Sequence, residues 1–263
     1  MEIFGVIFRL LPSTIDGSKE VGFQYLTTML VNDSIAIDAG SIGFYSSPDD
    51  QSRVRHLFLT HTHMDHLASL PIFLENIFTG SSAPVVIHAQ QVVIDCLQKD
   101  LFNDRIWPDF IALSKIPQSR FVEIRVQEPG DTVEVDGIKV TPVMLNHVVP
   151  TVAYILEDAN STVAFITDTT ATNEIWEKLN QVPNLKAIFL EVTFPNEMEW
   201  LANVSKHLTP QLFASELRKL KKQVPVYVVH LKGRFHKQVE REVLGLGLPN
   251  VNITQFLREY RFS

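Results

Sequence analysis

The densest chemistry in the chain is Thr60-His61-Thr62-His63-Met64-Asp65-His66, which sets three imidazoles and a carboxylate within six residues. These are nitrogen and oxygen donors, and without thiolate they suit Zn2+, Mn2+ or Fe2+. The chain carries nine His against a single Cys, Cys96, which excludes a disulfide framework and a thiolate zinc site. Phe58-Leu59 end a short apolar run. The cluster is therefore expected on the loop at the carboxyl end of a buried strand, where α/β proteins build their sites. In extended backbone His61 and His63 point to the same side and can share one ion. Asp65 and His66 follow where the chain turns into a helix, so they address another direction and a second ion. The alternative, a solvated loop with incidental histidines, fits this density of ligands poorly.

The surrounding pattern supplies elements to hold such a loop. Apolar and β-branched runs predict strands over 3–10, 25–31, 34–37, 56–60, 85–88, 121–126, 132–135, 138–145, 152–157, 162–167, 187–191 and 224–229. Asn32-Asp33 and Asp136-Gly137 read as hairpin turns. Helices are predicted over 65–76 with a break at Pro71, 90–101, 172–179 capped by Thr172, 210–222 capped by Thr209, and 234–244. Residues 40–53 and 103–118 read as irregular. Two successive sets of strands followed by βα units predict an α/β four-layer αβ/βα sandwich, with helices outside two central sheets. No composition shift or repeat divides the chain, so one domain is expected over 1–263. A formal charge of −7 argues against a protein that wraps a long nucleic acid. Met1-Glu2-Ile3-Phe4 lacks a basic leader pattern, and no apolar run reaches membrane-spanning length, so a cytoplasmic protein without a membrane partner is expected.

The stretch 60–66 resembles the metallo-β-lactamase superfamily, whose members carry H-x-H-x-D-H after a strand of an αβ/βα sandwich. The resemblance implies further ligands on loops after strands: His147 in Asn146-His147, Asp168 in Thr167-Asp168-Thr169 and His230 in His230-Leu231-Lys232. It implies two divalent ions, Zn2+ first, with Mn2+ or Fe2+ as alternatives. His61, His63 and His147 would hold one, Asp65, His66 and His230 the other, and Asp168 would bridge. Asp38 in Ile37-Asp38-Ala39-Gly40 matches an early aspartate that braces the metal loop without binding metal. His56, His88 and His236 are left as structural or exposed residues.

Longer stretches resemble the bacterial class II 3′,5′-cyclic-nucleotide phosphodiesterase group within that superfamily, over residues 20–235. They are His66-Leu67-Ala68-Ser69-Leu70-Pro71, residues 102–110, Asn146-His147-Val148-Val149-Pro150, residues 191–196, His207-Leu208-Thr209-Pro210 and His230-Leu231-Lys232. Two departures are Met64, where Leu is frequent, and Gly233, where Pro is more usual. The resemblance implies hydrolysis of cAMP or cGMP to the 5′-nucleotide by a hydroxide held between the two ions. Asp65 and His207 would protonate the leaving O3′, with Glu191 orienting His207. A positioned acid of this kind contributes about 10²–10⁴-fold. Lys232 or Arg105 is the candidate contact to a phosphate oxygen. Trp107, Phe110 and Phe194 are candidates to stack on the base, although core packing is the commoner role of such rings. A tRNase Z-like or other nuclease is the first alternative, but the one dense basic run is Arg218-Lys219-Leu220-Lys221-Lys222. A thioester, lactone or β-lactam hydrolase is the second, and it has no need of His207. A non-catalytic metal-binding scaffold is the third, and here no ligand is missing. The resemblance leaves a homodimer open.

Overall fold

A computed structural model describes residues 5–13, 23–79 and 83–263, so the start of the first predicted strand lies outside the described residues. The strands are β1 (Val6–Leu10), β2 (Met29–Val31), β3 (Ile35–Ile37), β4 (His56–Phe58), β5 (Val85–Ala89), β6 (Val122–Val126), β7 (Val133–Val135), β8 (Ile138–Met144), β9 (Val152–Glu157), β10 (Thr162–Ile166), β11 (Leu185–Glu191), β12 (Val226–Val229), β13 (Val251–Ile253) and β14 (Tyr260–Phe262). They form two 7-stranded sheets, ordered β14-β1-β2-β3-β4-β5-β6 and β13-β12-β11-β10-β9-β8-β7. The helices are α1 (Pro48–Gln51), α2 (Met64–Leu67), α3 (Leu70–Ile77), α4 (Gln91–Cys96), α5 (Phe110–Leu113), α6 (Glu174–Gln181), α7 (Glu199–Ser205), α8 (Pro210–Leu217) and α9 (His236–Gly245).

The period of two along each strand decides what lies on either face. Met29, Val31, Ile35, Ile37 and Phe58 face Tyr154, Phe165 and Phe189 of the other sheet, in the core between the sheets. Leu30, Ala36 and Leu57 face outward onto Phe73 and Leu74 of α3 and Val93 of α4. The outward residues of the second sheet, such as Ile188 and Val228, pack on Trp176 of α6, Phe213 of α8 and Val239 of α9. The result is the αβ/βα sandwich that the pattern predicts. β3 to β6 run parallel, as do β10 to β13. Their carboxyl ends, with that of β8, deliver the loops of the site.

Both hairpin turns are left-handed at each central residue, with φ of 48° and 61° at Asn32 and Asp33 and of 51° and 76° at Asp136 and Gly137. Several boundaries differ from expectation. The 40–53 stretch holds a 3-10 turn at Ile42–Phe44 and also α1, whose Ser47 caps Asp50 with Pro48 at the first position. The 65–76 helix breaks at Ala68-Ser69, one turn before Pro71 acts as the second residue of α3. The 90–101 helix widens to a π-turn over Leu97–Leu101. Thr172 is not the cap of α6; its backbone N–H donates to Glu216 instead, and the helix starts after Asn173. α8 ends at Leu217, short of the predicted 222, and Lys219 and Lys222 donate to the carbonyls of Thr172 and Leu179. The chain also continues past the last predicted helix into β13 and β14, which complete one edge of each sheet.

Candidate metal centre

The loop after β4 carries His61 and His63, and α2 carries Asp65 and His66. Across from it the loops after β8, β10 and β12 bring His147, Asp168 and His230. Their donor atoms gather in two groups. His61, His63, His147 and Asp168 form one group and Asp65, His66 and His230 another, the atoms of each lying within 4.8 Å of one another. His63 Nδ1 is 3.2 Å from His147 Nε2, and His230 Nε2 is 3.2 Å from Asp65 Oδ2. Asp168 Oδ2 is 3.4 Å from His66 Nε2 and 3.6 Å from His61 Nε2, while its Oδ1 is 3.4 Å from His230 Nε2. A tetrahedral ion with bonds of about 2.0–2.1 Å holds neighbouring donors about 3.3–3.4 Å apart, so these separations suit a divalent ion. The buried Nε2 atoms of His61 and His66 have no hydrogen-bond partner. Buried polar atoms are ordinarily satisfied, so the two orphans point to a bound group.

In His61, His66, His147 and His230 the other ring nitrogen is committed elsewhere, which aims the free one inward. His66 Nδ1 donates to Asp38 Oδ2 at 2.6 Å. His61 Nδ1 donates to Thr60 Oγ1 at 2.9 Å, and that hydroxyl and the Thr60 N–H reach Asp38. The same relay recurs on the other side, where His230 Nδ1 donates to Thr193 Oγ1 at 2.9 Å and Thr193 donates to Glu191. His147 Nδ1 donates to the carbonyl of Lys206 at 3.0 Å. Asp38 and His230 both sit in the left-handed region, at φ of 62° and 63°, as the chain turns off β3 and β12. The His230 N–H is held by Gln24 Oε1 at 2.7 Å. Thr60, Thr193, Gln24 and Lys206 were not legible as site residues. Each acts through a contact made only in the fold, and a Thr next to a ligand has no distinctive spacing.

Electrostatics keep these ligands ready. Burial holds the imidazoles of His61, His63 and His147 below their ordinary range, leaving them neutral with a lone pair to offer. Burial pushes the Asp65 carboxyl up, but the hydrogen bond and charge of His230, with His66 and Lys232, hold it far below the carboxylate range. Burial likewise opposes ionisation of Asp168, and His230 and His66 overcome it. His66 is the exception: Asp168 and Asp38 hold it well above the ordinary imidazole range, against its burial, so an ion bound there would have to displace its proton.

Beside this cluster, His207 Nδ1 donates to Glu191 Oε1 at 2.9 Å, and its ring stacks on His230 with centroids 5.3 Å apart. Glu191 is fully buried and also accepts the Thr169 N–H at 2.6 Å. Lys232 Nζ is 2.8 Å from Asp65 Oδ2. Arg105 lies on an exposed loop, and its guanidinium makes no hydrogen bond or ion pair among the described residues. Trp107 and Phe110 pack on the outer core of the first sheet, whereas Phe194 stands edge-on to His207 at 5.7 Å. His56 and His88 pair at 3.1 Å away from the cluster, with His88 stacked on Phe58. Met64 points to solvent at 60 % exposure, which is why its replacement of Leu disturbs nothing.

Gly40 seats the ligand loop on the first sheet. Its N–H donates to the Thr27 carbonyl, and the Thr27 N–H donates to the Asp65 carbonyl at 2.7 Å. A Cβ at Gly40 would lie 2.2 Å from that carbonyl oxygen and 2.6 Å from Thr27 N, both backbone atoms that cannot swing away. Gly40→Ala is expected to destabilise the fold by about 1–3 kcal/mol, the cost of overpacking, and to weaken metal retention together with it. Denaturant unfolding and metal analysis on the same preparation check this.

The beta-lactamase superfamily domain model matches residues 38–231, from the bracing aspartate to the residue after His230. The chain belongs to the metallo-β-lactamase superfamily. It is a hydrolase of that superfamily, whose fold implies divalent metal binding. Among curated relatives it is 24% identical to a "Probable 3′,5′-cyclic-nucleotide phosphodiesterase" of Yersinia pestis, an alignment covering 88% of this chain and 80% of the relative. Among solved structures it is similar to unliganded yeast PDE1, with a TM-score of 0.75 at 17% identity over 96% of this chain and 97% of that one. The short form of human tRNase Z matches with a TM-score of 0.68 at 14% identity, over 97% of this chain and 98% of that one. At these identities the structural likenesses show the fold alone. No helix among the described residues is long and apolar enough to cross a membrane.

Proposed function

We propose that this protein is a metal-dependent phosphodiesterase that hydrolyses 3′,5′-cyclic nucleotides to 5′-nucleotides. The observation that carries the reading is the Glu191–His207 pair set beside the ligand cluster. A ribose alkoxide is a poor leaving group and needs a proton, whereas the thiolate released from a thioester departs without one. The relative from Yersinia pestis supports the substrate class.

His61, His63 and His147 would hold one divalent ion and Asp65, His66 and His230 a second, with Asp168 reaching both. Such ions supply Lewis acidity, lowering the pKa of water and neutralising charge on phosphate oxygens. The chain's own residues do the rest. Glu191 accepts from His207 Nδ1, so the proton that can be given to O3′ sits on Nε2, on the side of the ring turned to the cluster. Asp65 is held ionised, so of these two groups His207 is the donor. Lys232, anchored by Asp65, places an ammonium where a phosphate oxygen would bind.

The test is a substrate panel with added Zn2+ or Mn2+: 3′,5′-cAMP, 3′,5′-cGMP, bis-p-nitrophenyl phosphate, a precursor tRNA and a thioester. Turnover of the cyclic nucleotides in preference to the tRNA is expected. Turnover of the thioester alone sinks the phosphodiester reading, and turnover of the tRNA alone replaces it with a nuclease.

A further inference from the structure

Lys206 grips His147 from two directions. Its carbonyl accepts from His147 Nδ1 at 3.0 Å, and its own Nζ donates to the His147 carbonyl at 3.1 Å. Among the described residues that carbonyl accepts from no other group. The grip reaches across a sequence separation of 59 residues.

The backbone at Lys206 is unusual for its residue type. It ends α7 in the left-handed region at φ 54° and ψ 54°, with its N–H donating to Ala202. Glycine or asparagine is the ordinary occupant of that position, because a Cβ is disfavoured there. A lysine at this turn is explained by what its two ends do: the turned backbone aims the carbonyl at the ring, and the ammonium reaches back to the loop. A glycine would supply the first and not the second. The next residue is His207, whose ring stands edge-on to His147 with centroids 5.0 Å apart. The end of α7 therefore sets a ligand of one donor group and the proton donor together.

We infer that Lys206 is a positioning residue that fixes His147 for one metal ion and ties that ion's shell to His207. The inference rests on the reading of His147 as a metal ligand. Partners of this kind change metal affinity by about 10–100-fold when lost. The residue acts through His147, so its removal should weaken one ion and spare the other.

The experiment is a Zn2+ titration of metal-stripped protein against a competing chelator, for wild type, Lys206→Gly and Lys206→Arg. Lys206→Gly keeps the left-handed turn and the carbonyl while removing the side chain and its ammonium, so it is expected to fold at least as well as wild type. One of its two binding constants should fall, by no more than about 10-fold because the carbonyl on His147 Nδ1 stays, the other should hold, and Lys206→Arg should recover most of the loss. Activity lost by Lys206→Gly should return at saturating metal. Two wild-type affinities in Lys206→Gly overturn the positioning role alone. A wild-type protein that binds no ion overturns the metal reading itself, and this role with it.

Discussion

Asp168→Ala is expected to release at least one of the bound ions and to lower phosphodiester turnover by more than about 100-fold, the upper end of what losing a mere supporting partner costs. The carboxylate is 1% exposed, with Oδ2 directed at His61 and His66 and Oδ1 at His230. Among the described residues no other carboxylate faces donors of both groups in this way. The carboxylate is also the negative charge among four facing imidazoles, counting His147 at 4.0 Å. Removing it would leave any two ions held here to repel each other across a neutral gap. Asp168→Asn separates shape from charge, since the amide fills the same space with one weaker acceptor. Metal content after dialysis, measured beside turnover, decides the matter. An Asp168→Asn protein that keeps two tightly held ions and full turnover ends the bridging role.

The parts of this centre that were legible are those written locally. His61, His63, Asp65 and His66 share one turn of chain, and strand alternation with a following helix is enough to aim them. His147, Asp168 and His230 stood out only by resemblance, because a single His or Asp after a strand carries no signal of its own. What joins them is the shared carboxyl edge of two sheets, and that is a tertiary fact. The relays were hidden for the same reason. Thr193 connects His230 to Glu191 across 37 residues of sequence, and Gln24 holds the His230 N–H across 206. Some errors came from reading a local preference too literally. Thr172 looks like a helix cap, yet the buried Glu216 carboxylate, which also accepts from Trp176 Nε1 at 2.7 Å, captures its N–H and shifts the start. Residues 40–53 read as a polar loop because the one turn of helix at Pro48–Gln51 is too short for a periodicity to emerge.

His207→Ala is expected to slow cyclic-nucleotide hydrolysis by about 10²–10⁴-fold and to leave metal content unchanged. The loss should be far smaller for bis-p-nitrophenyl phosphate, because p-nitrophenolate departs without a proton. That contrast distinguishes a proton donor from a residue that merely supports the fold, which would slow both substrates alike. Glu191→Gln gives a second readout. Burial alone pushes the His207 imidazole down, and Glu191 lifts it above its ordinary value. With the Glu191 charge removed, only Asp168 still opposes burial, and the pKa falls. An acid works only while protonated, so the alkaline limb of the cyclic-nucleotide rate should move to lower pH in Glu191→Gln. The bis-p-nitrophenyl phosphate profile should not move with it. Equal losses for the two leaving groups would mean that His207 shapes the pocket beside His147 and His230 without giving up a proton, and the Glu191–His207 pair would then no longer favour a phosphodiester over an ester.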